Sequence, residues 1–217
     1  HPPARPDDAH KGTFGTVIVV GGSAAMIGAP AICGRAAIRG GAGLVKLAVD
    51  QKLVHACLSI EPCATAVPLG ERSDDKVKAI READRRDNAV LAVGPGLAAD
   101  QDTRRLVRSI IDLDIPMVLD ADGLNHLADL GVKMPSRKTA KILTPHPGEF
   151  KRLAKPHGIN PSPTNPQQRP DAAGELANVH DAVVILKGKD TVISDGSRYF
   201  INTTGNPALA TGGTGDV

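Results

Sequence analysis

The residues with the most evident chemistry close the sequence, in Thr211-Gly212-Gly213-Thr214-Gly215-Asp216 behind Asn206-Pro207. Glycines let successive backbone N–H groups converge at a helix N-terminus, which makes an anion site. An aspartate placed there beside a phosphate is no ligand for it, because like charges repel. It can serve as a base instead, taking a proton from a hydroxyl that attacks the phosphoryl group. Asp216 is then the candidate base, with the glycine amides beside it. The plainer alternative is a helix-capping aspartate after a flexible loop.

Four other segments carry chemistry-bearing residues after apolar runs. Gly21-Gly22-Ser23-Ala24-Ala25-Met26-Ile27-Gly28-Ala29 and Val93-Gly94-Pro95-Gly96-Leu97 have glycines that permit close backbone approach to a ligand. Each also reads as a simple structural turn. Leu119-Asp120-Ala121-Asp122-Gly123-Leu124-Asn125 places two acids at a strand end. Helix capping is expected of Asp122, while Asp120 stays open between capping and a water-mediated metal. In Leu143-Thr144-Pro145-His146-Pro147-Gly148-Glu149-Phe150, prolines on both sides hold His146 rigidly, and His146 is expected to face a ligand. Glu149 fits the first turn of a helix starting near Gly148, where a carboxylate favours the dipole. Two common nucleotide motifs are missing. Gly40-Gly41-Ala42-Gly43 precedes a strand rather than following one, and Gly188-Lys189 runs into Asp190, so neither a dinucleotide fingerprint nor a P-loop is complete.

These segments need elements to hold them. Strands are expected at Thr16–Val20, Leu44–Val49, Ala64–Val67, Ala89–Val93, Met117–Leu119, Ile142–Leu143 and Val183–Leu186, and helices at Ala29–Arg39, Asp74–Arg86, Thr103–Leu113 and Gly123–Leu130. Several strands are apolar throughout, as in strands covered on both faces. The alternation predicts an α/β fold around a mostly parallel sheet, with helices on both faces. Thr191–Ser194, Asp195-Gly196 and Arg198–Ile201 predict a β-hairpin. Pro156 to Pro170 holds five prolines and reads as a mobile surface loop within one domain spanning 1–217. Ligands of such sheets sit beyond the carboxyl ends of the strands, where all five segments fall.

Composition narrows the function. Of 217 residues, 26 are Lys or Arg and 24 Asp or Glu, a formal charge of +2, and aromatics make up 2%. With no basic block and no aromatic platform, nucleic-acid binding is not expected. The runs Val17–Val20 and Ala89–Val93 are too short to span a bilayer, so no membrane role is expected either. Cys33, Cys57 and Cys63 match no disulfide or metal framework and are expected as small core residues in a reducing cytoplasm.

Together these motifs resemble the NAD(P)H-hydrate dehydratase family of the ribokinase-like superfamily. The resemblance runs from His10-Lys11-Gly12-Thr13-Phe14-Gly15 to the last residue, through Gly22-Ser23, Gly28-Ala29, Gly94-Pro95-Gly96, Leu119–Asn125, Thr144–Glu149, Lys187-Gly188-Lys189-Asp190-Thr191 and Gly205-Asn206-Pro207 to Gly212–Asp216. It is closest to the bacterial, ADP-using branch. The family implies a three-layer ribokinase-like fold whose helix behind the glycine-rich site begins near Thr214, so a domain truncated at its C-terminus is expected. It implies repair of hydrated NADH or NADPH at the expense of ADP, with AMP and phosphate released. Carried over, Asp216 deprotonates the substrate's C6 hydroxyl, and the Gly213–Gly215 amides stabilise the transferring phosphoryl. Lys187, Gly188, Lys189, Asp190, Thr191 and Gly215 bind the nucleotide, while Ala29, Gly96, His146 and Asp216 contact the substrate. The family also implies magnesium without a legible protein ligand, a homo-oligomer and a cytoplasmic enzyme. Two rivals remain: a related kinase of a thiazole or pyrimidine alcohol, and an inactive nucleotide-binding module.

Overall fold

The computed structural model describes residues 5–85, 87–136 and 138–216, the Asp216 side chain excepted. The chain divides into two compact units, His1–Ala98 with Gly212–Val217, and Ala99–Thr211.

In the first unit, apolar runs form β1 (Thr16–Val20), β2 (Leu44–Asp50), β3 (Thr65–Leu69) and β4 (Ala89–Val93), in the order β3-β2-β1-β4. All pairings are parallel, with Val17 opposite Val45 on one side and Val90 on the other. Parallel neighbours need crossovers; α1 (Gly28–Gly40), α2 (Val54–Ile60) and α3 (Ser73–Ala83) supply them in turn. Ile18, Val19 and Val20 are all fully buried. Successive strand residues point to opposite faces, so both faces of β1 are covered, as its unbroken apolar run predicts. The core beside it is built from small residues: Val19, Ala31, Val45, Leu47, Val49, Cys57 and Ala64. Cys57 is a core thiol whose pKa burial raises. Cys33 is half-buried against that core, but Cys63 is exposed in the turn after α2, which corrects its expected place inside.

The second unit contains α4 (Gln101–Ile110), β5 (Met117–Leu119), α5 (Ala121–Leu130), β6 (Lys141–Leu143), α6 (Pro147–Ala154), α7 (Arg169–His180), β7 (Val183–Leu186), β8 (Thr191–Ser194) and β9 (Tyr199–Asn202). Its strands run β5-β6-β7-β8-β9, parallel as far as β7 and antiparallel beyond. The Asp195-Gly196 hairpin forms as expected, with Ser194 opposite Tyr199. Amphipathic spacing explains α4, which buries Leu106, Val107 and Ile110 and starts at Asp100, whose carboxylate accepts from the Thr103 amide at 2.7 Å. Among the described residues no helix is long and apolar enough to cross a membrane.

Two helices lie outside the expected set, α2 and α7, while α6 starts at Pro147, beside the start expected near Gly148. The helix α2 is short, and α7 begins inside the proline-rich stretch, where Pro170 occupies its first turn. Proline is tolerated there because its missing N–H has no helical partner. The stretch from Pro156 to Pro170 is also less loose than its composition suggests. Lys155–His157 forms a 3-10 turn, Ser162 N donates to Gln168 Oε1 at 2.9 Å, and the Asn165 carbonyl accepts from the Gln168 and Arg169 amides at 3.0 Å.

At the end of α7 the His180 ring is completely buried, accepts from the Met134 amide at 3.3 Å and meets the His157 ring edge-on at 5.1 Å. Burial, followed by the charges of His157, Lys141 and Lys133, pulls its pKa down to about 4. An unfolded histidine titrates near 6.5, so the unfolded state takes up this proton first. The associated stability is fully present above pH 6.5 and is lost as pH falls towards 4, by about 3 kcal/mol in all. Between pH 7 and pH 4.5 the wild type should therefore lose about 2 kcal/mol more stability than His180→Asn, measured by urea unfolding. Parallel pH dependences in the two proteins would refute this linkage.

Candidate functional site

Each unit contributes its own set of residues at strand ends. In the first, the loops after β1 and β4 are laced together: Gly22 N donates to Pro95 O at 2.9 Å and Gly94 N to Val20 O at 3.0 Å. Gly96 has φ +67°, and a Cβ on it would lie 2.7 Å from Met26 O and 3.0 Å from Ala29 Cβ. Only glycine fits such a place. Ala29 and Gly96, both expected at the substrate, thus pack against each other and are both buried. The first turn of α1 has no acidic residue, and the residue before it, Ile27, supplies no side-chain acceptor. Its free amides can serve an anion. Beside α1 lies Thr214–Asp216, one 3-10 turn preceded by Gly213 at φ +84°. The expected base role falls on the Asp216 side chain, which lies outside the described residues.

In the second unit the carboxyl ends of β5, β6 and β7 converge. The Thr144 amide and hydroxyl both donate to Leu119 O at 3.1 Å, and Lys187 N donates to Pro145 O at 2.9 Å. This brings Lys187 to Asp120. The ammonium and Asp120 Oδ1 are 2.7 Å apart, with side chains 33% and 20% exposed. Asp120 is also the N-cap of α5, its Oδ1 accepting from the Ala121 amide at 2.8 Å. Capping was expected of Asp122; that residue sits in the first turn and accepts from Asn125 Nδ2 at 2.9 Å instead. The helix starts two residues earlier than the glycine at 123 suggests, with Ala121 at φ +48°.

His146 is the N-cap of α6. Its Nδ1 accepts from the Gly148 and Glu149 amides at 2.9 and 3.4 Å, and the Glu149 carboxylate accepts from the His146 amide at 2.8 Å. This is a reciprocal capping box with histidine in the usual Ser or Thr place and Pro147 at the first position. The H-x-x-E spacing before an apolar run is the sequence signal that marks it. Capping leaves the His146 side chain 51% exposed, so its ring still faces outward. Glu149 is buried, and burial lifts its carboxyl above the usual range against the pull of the His146 amide and Lys187.

The segment Gly188-Lys189-Asp190 is an exposed turn, and Thr191 closes it by donating its hydroxyl to Gly188 O at 2.8 Å. A cation at the turn's base and amides along it suit phosphate. Among the described residues no group of three or more His, Cys, Asp or Glu could hold a metal ion. The structure thus gathers Asp120, His146, Glu149 and Lys187 in one unit, and Gly22, Ala29 and Gly96 in the other. Asp120 is the partner that the sequence left without a defined task, whereas Glu149 stands in the first helical turn expected of it.

The family model of the NAD(P)H-hydrate dehydratases matches residues 17–217. The chain belongs to the NAD(P)H-hydrate dehydratase family. Over 219 residues it is 36% identical to the ADP-dependent (S)-NAD(P)H-hydrate dehydratase of Bacillus subtilis, covering 99% of this chain and 73% of the relative. A Bacillus subtilis ADP/ATP-dependent NAD(P)H-hydrate dehydratase co-crystallised with ATP and Mg2+ has the same fold, with a TM-score of 0.79, 33% identity and coverage of 99% and 73%. The Bifunctional NAD(P)H-hydrate repair enzyme Nnr of Coxiella burnetii is 38% identical over 216 residues. This chain spans about two fifths of that relative, 41% of its length against 99% of its own. The α/β architecture, parallel throughout the first unit and mixed in the second, is that of the ribokinase-like dehydratases.

The capping role of His146 can be separated from any contact with substrate. His146→Ala should cost about 1 kcal/mol in denaturant unfolding, whereas His146→Asn, which can accept the same amides, should stay within a few tenths. Equal losses in both variants would contradict the capping role.

Proposed function

We propose that this chain carries out ADP-dependent dehydration of hydrated NADH or NADPH, restoring the reduced cofactor. One observation carries the reading beyond family membership: a lysine held by a carboxylate at a strand end, followed directly by an exposed glycine-bearing turn. That arrangement suits the terminal phosphates of a nucleoside diphosphate. In this reading Lys187 neutralises phosphate charge, the Gly188–Asp190 amides orient it, and Gly213 and Gly215 donate amides to the transferring phosphoryl. Asp216 takes the proton of the substrate's C6 hydroxyl as its oxygen attacks the β-phosphorus. Ala29, Gly96 and the exposed ring of His146 contact the hydrated nicotinamide nucleotide.

The reaction balances simply. Hydroxide is a poor leaving group and phosphate a good one. Transfer of the phosphoryl group to the C6 oxygen releases AMP. The adjacent ring nitrogen then expels phosphate, C5 loses a proton, and the C5–C6 double bond returns. Bound with the nucleotide, magnesium would lower the charge on the phosphates. The described residues offer it no carboxylate cage, so no step is assigned to it. In this reading the enzyme is a homo-oligomer and acts in the cytoplasm.

With ADP, magnesium and hydrated NADH, the protein should restore reduced-nicotinamide absorbance and release AMP and phosphate in equal amounts. A stable phosphorylated product would favour the related alcohol kinase, and ADP binding without turnover the inactive module. Asp216→Asn should hold ADP as the wild type does and lose about 100-fold or more in kcat. Undiminished turnover in that variant would remove Asp216 from the base role.

A further inference from the structure

Arg169 is a buried cation that neither the sequence motifs nor the proposed reaction uses. It is 7% exposed, and its described partners are backbone carbonyls rather than carboxylates. Nη1 donates to Pro163 O at 2.7 Å, while Nη2 donates to Leu186 O at 2.9 Å and to Lys187 O at 3.3 Å. Nε is buried without a hydrogen-bond partner. The residue also stands at the start of α7, where a positive charge opposes the helix dipole. Helix stability and solvation both disfavour it there. What the guanidinium does gain is a rigid fork that binds two chain segments at once.

One of those segments ends β7 and opens the Lys187–Thr191 turn. Gly188 sits directly on the guanidinium: a Cβ there would lie 3.6 Å from both Nη atoms, and its φ of +132° suits glycine alone. The other segment is the proline-rich stretch, held at buried Pro163. We infer that Arg169 is the positioning residue of the nucleotide segment, fixing the backbone at Leu186 and Lys187 by tying it to the stretch around Pro163. The inference rests on the proposed placement of nucleotide phosphate at Lys187–Thr191. It makes the stretch around Pro163 part of the nucleotide site's support.

Arg169→Lys keeps the charge and loses the fork. Hydrogen exchange on the free protein should show the amides of 186–191 at least tenfold faster in this variant, with β5 and β6 unchanged. Its Kd and KM for ADP should rise about tenfold or more, while KM for the hydrate stays within twofold. Pro163→Ala, which leaves every donor and acceptor in place but loosens the stretch, should show the same pattern more weakly. It decides the matter if the Arg169 variant does not fold. Unchanged exchange at 186–191, or equal losses in KM for ADP and hydrate, would overturn the inference. Faster exchange there in a protein whose wild type binds no ADP would support the clamp and sink the nucleotide assignment instead.

Discussion

The 2.7 Å ion pair between Lys187 and Asp120 is the interaction on which the second unit's chemistry depends. It joins the end of β7 to the end of β5 across β6. It also fixes the ammonium proposed to neutralise phosphate, and it shares its carboxylate with the first amide of α5. Both side chains are mostly buried, so removing either would leave a charge in a poorly solvated place. A half-exposed lysine on a free strand end would sample many rotamers and lose entropy on binding. Held by Asp120, it loses that freedom on folding. Glu149, buried close by, is a second carboxylate that the same cation stabilises.

The two units position their residues by different physics. In Ala99–Thr211, charge and hydrogen bonds do it: Asp120 on Lys187, His146 with Glu149, Arg169 on three carbonyls. In the first unit, sterics do it. Gly96 packs against Ala29 and the Met26 carbonyl at distances that no side chain allows. A small-residue core of Val, Ala and Cys brings α1 close over β1 and β2. The low aromatic content, 2% of the chain, reflects this mode of packing.

The strands were legible because their signal is local. Thr16–Val20, Ala89–Val93, Met117–Leu119 and Val183–Leu186 are continuous apolar runs and appear with the boundaries expected of them. The helix α7 was not, because Arg169-Pro170 reads as a breaker pair and its burial comes from distant carbonyls. The glycine-rich and Thr-Pro-His-Pro-Gly-Glu motifs were recognisable as motifs. Their partners were less so: Asp120 and Lys187 are 67 positions apart, and no local pattern announces that they touch. The choice of Asp122 over Asp120 as cap failed for a related reason. Glycine at 123 suggested a later start, whereas Ala121 takes a positive φ that places the aspartate before it at the cap.

In the proposed reaction, phosphoryl transfer turns the substrate's own hydroxyl into the leaving group. Hydrated NADH carrying 18O in its C6 hydroxyl tests it most directly, with ADP as co-substrate and mass analysis of the phosphate released. One 18O atom is expected in each phosphate, because the C6–O bond breaks after that oxygen has joined phosphorus. Unlabelled phosphate, with the label passing to water, would contradict it.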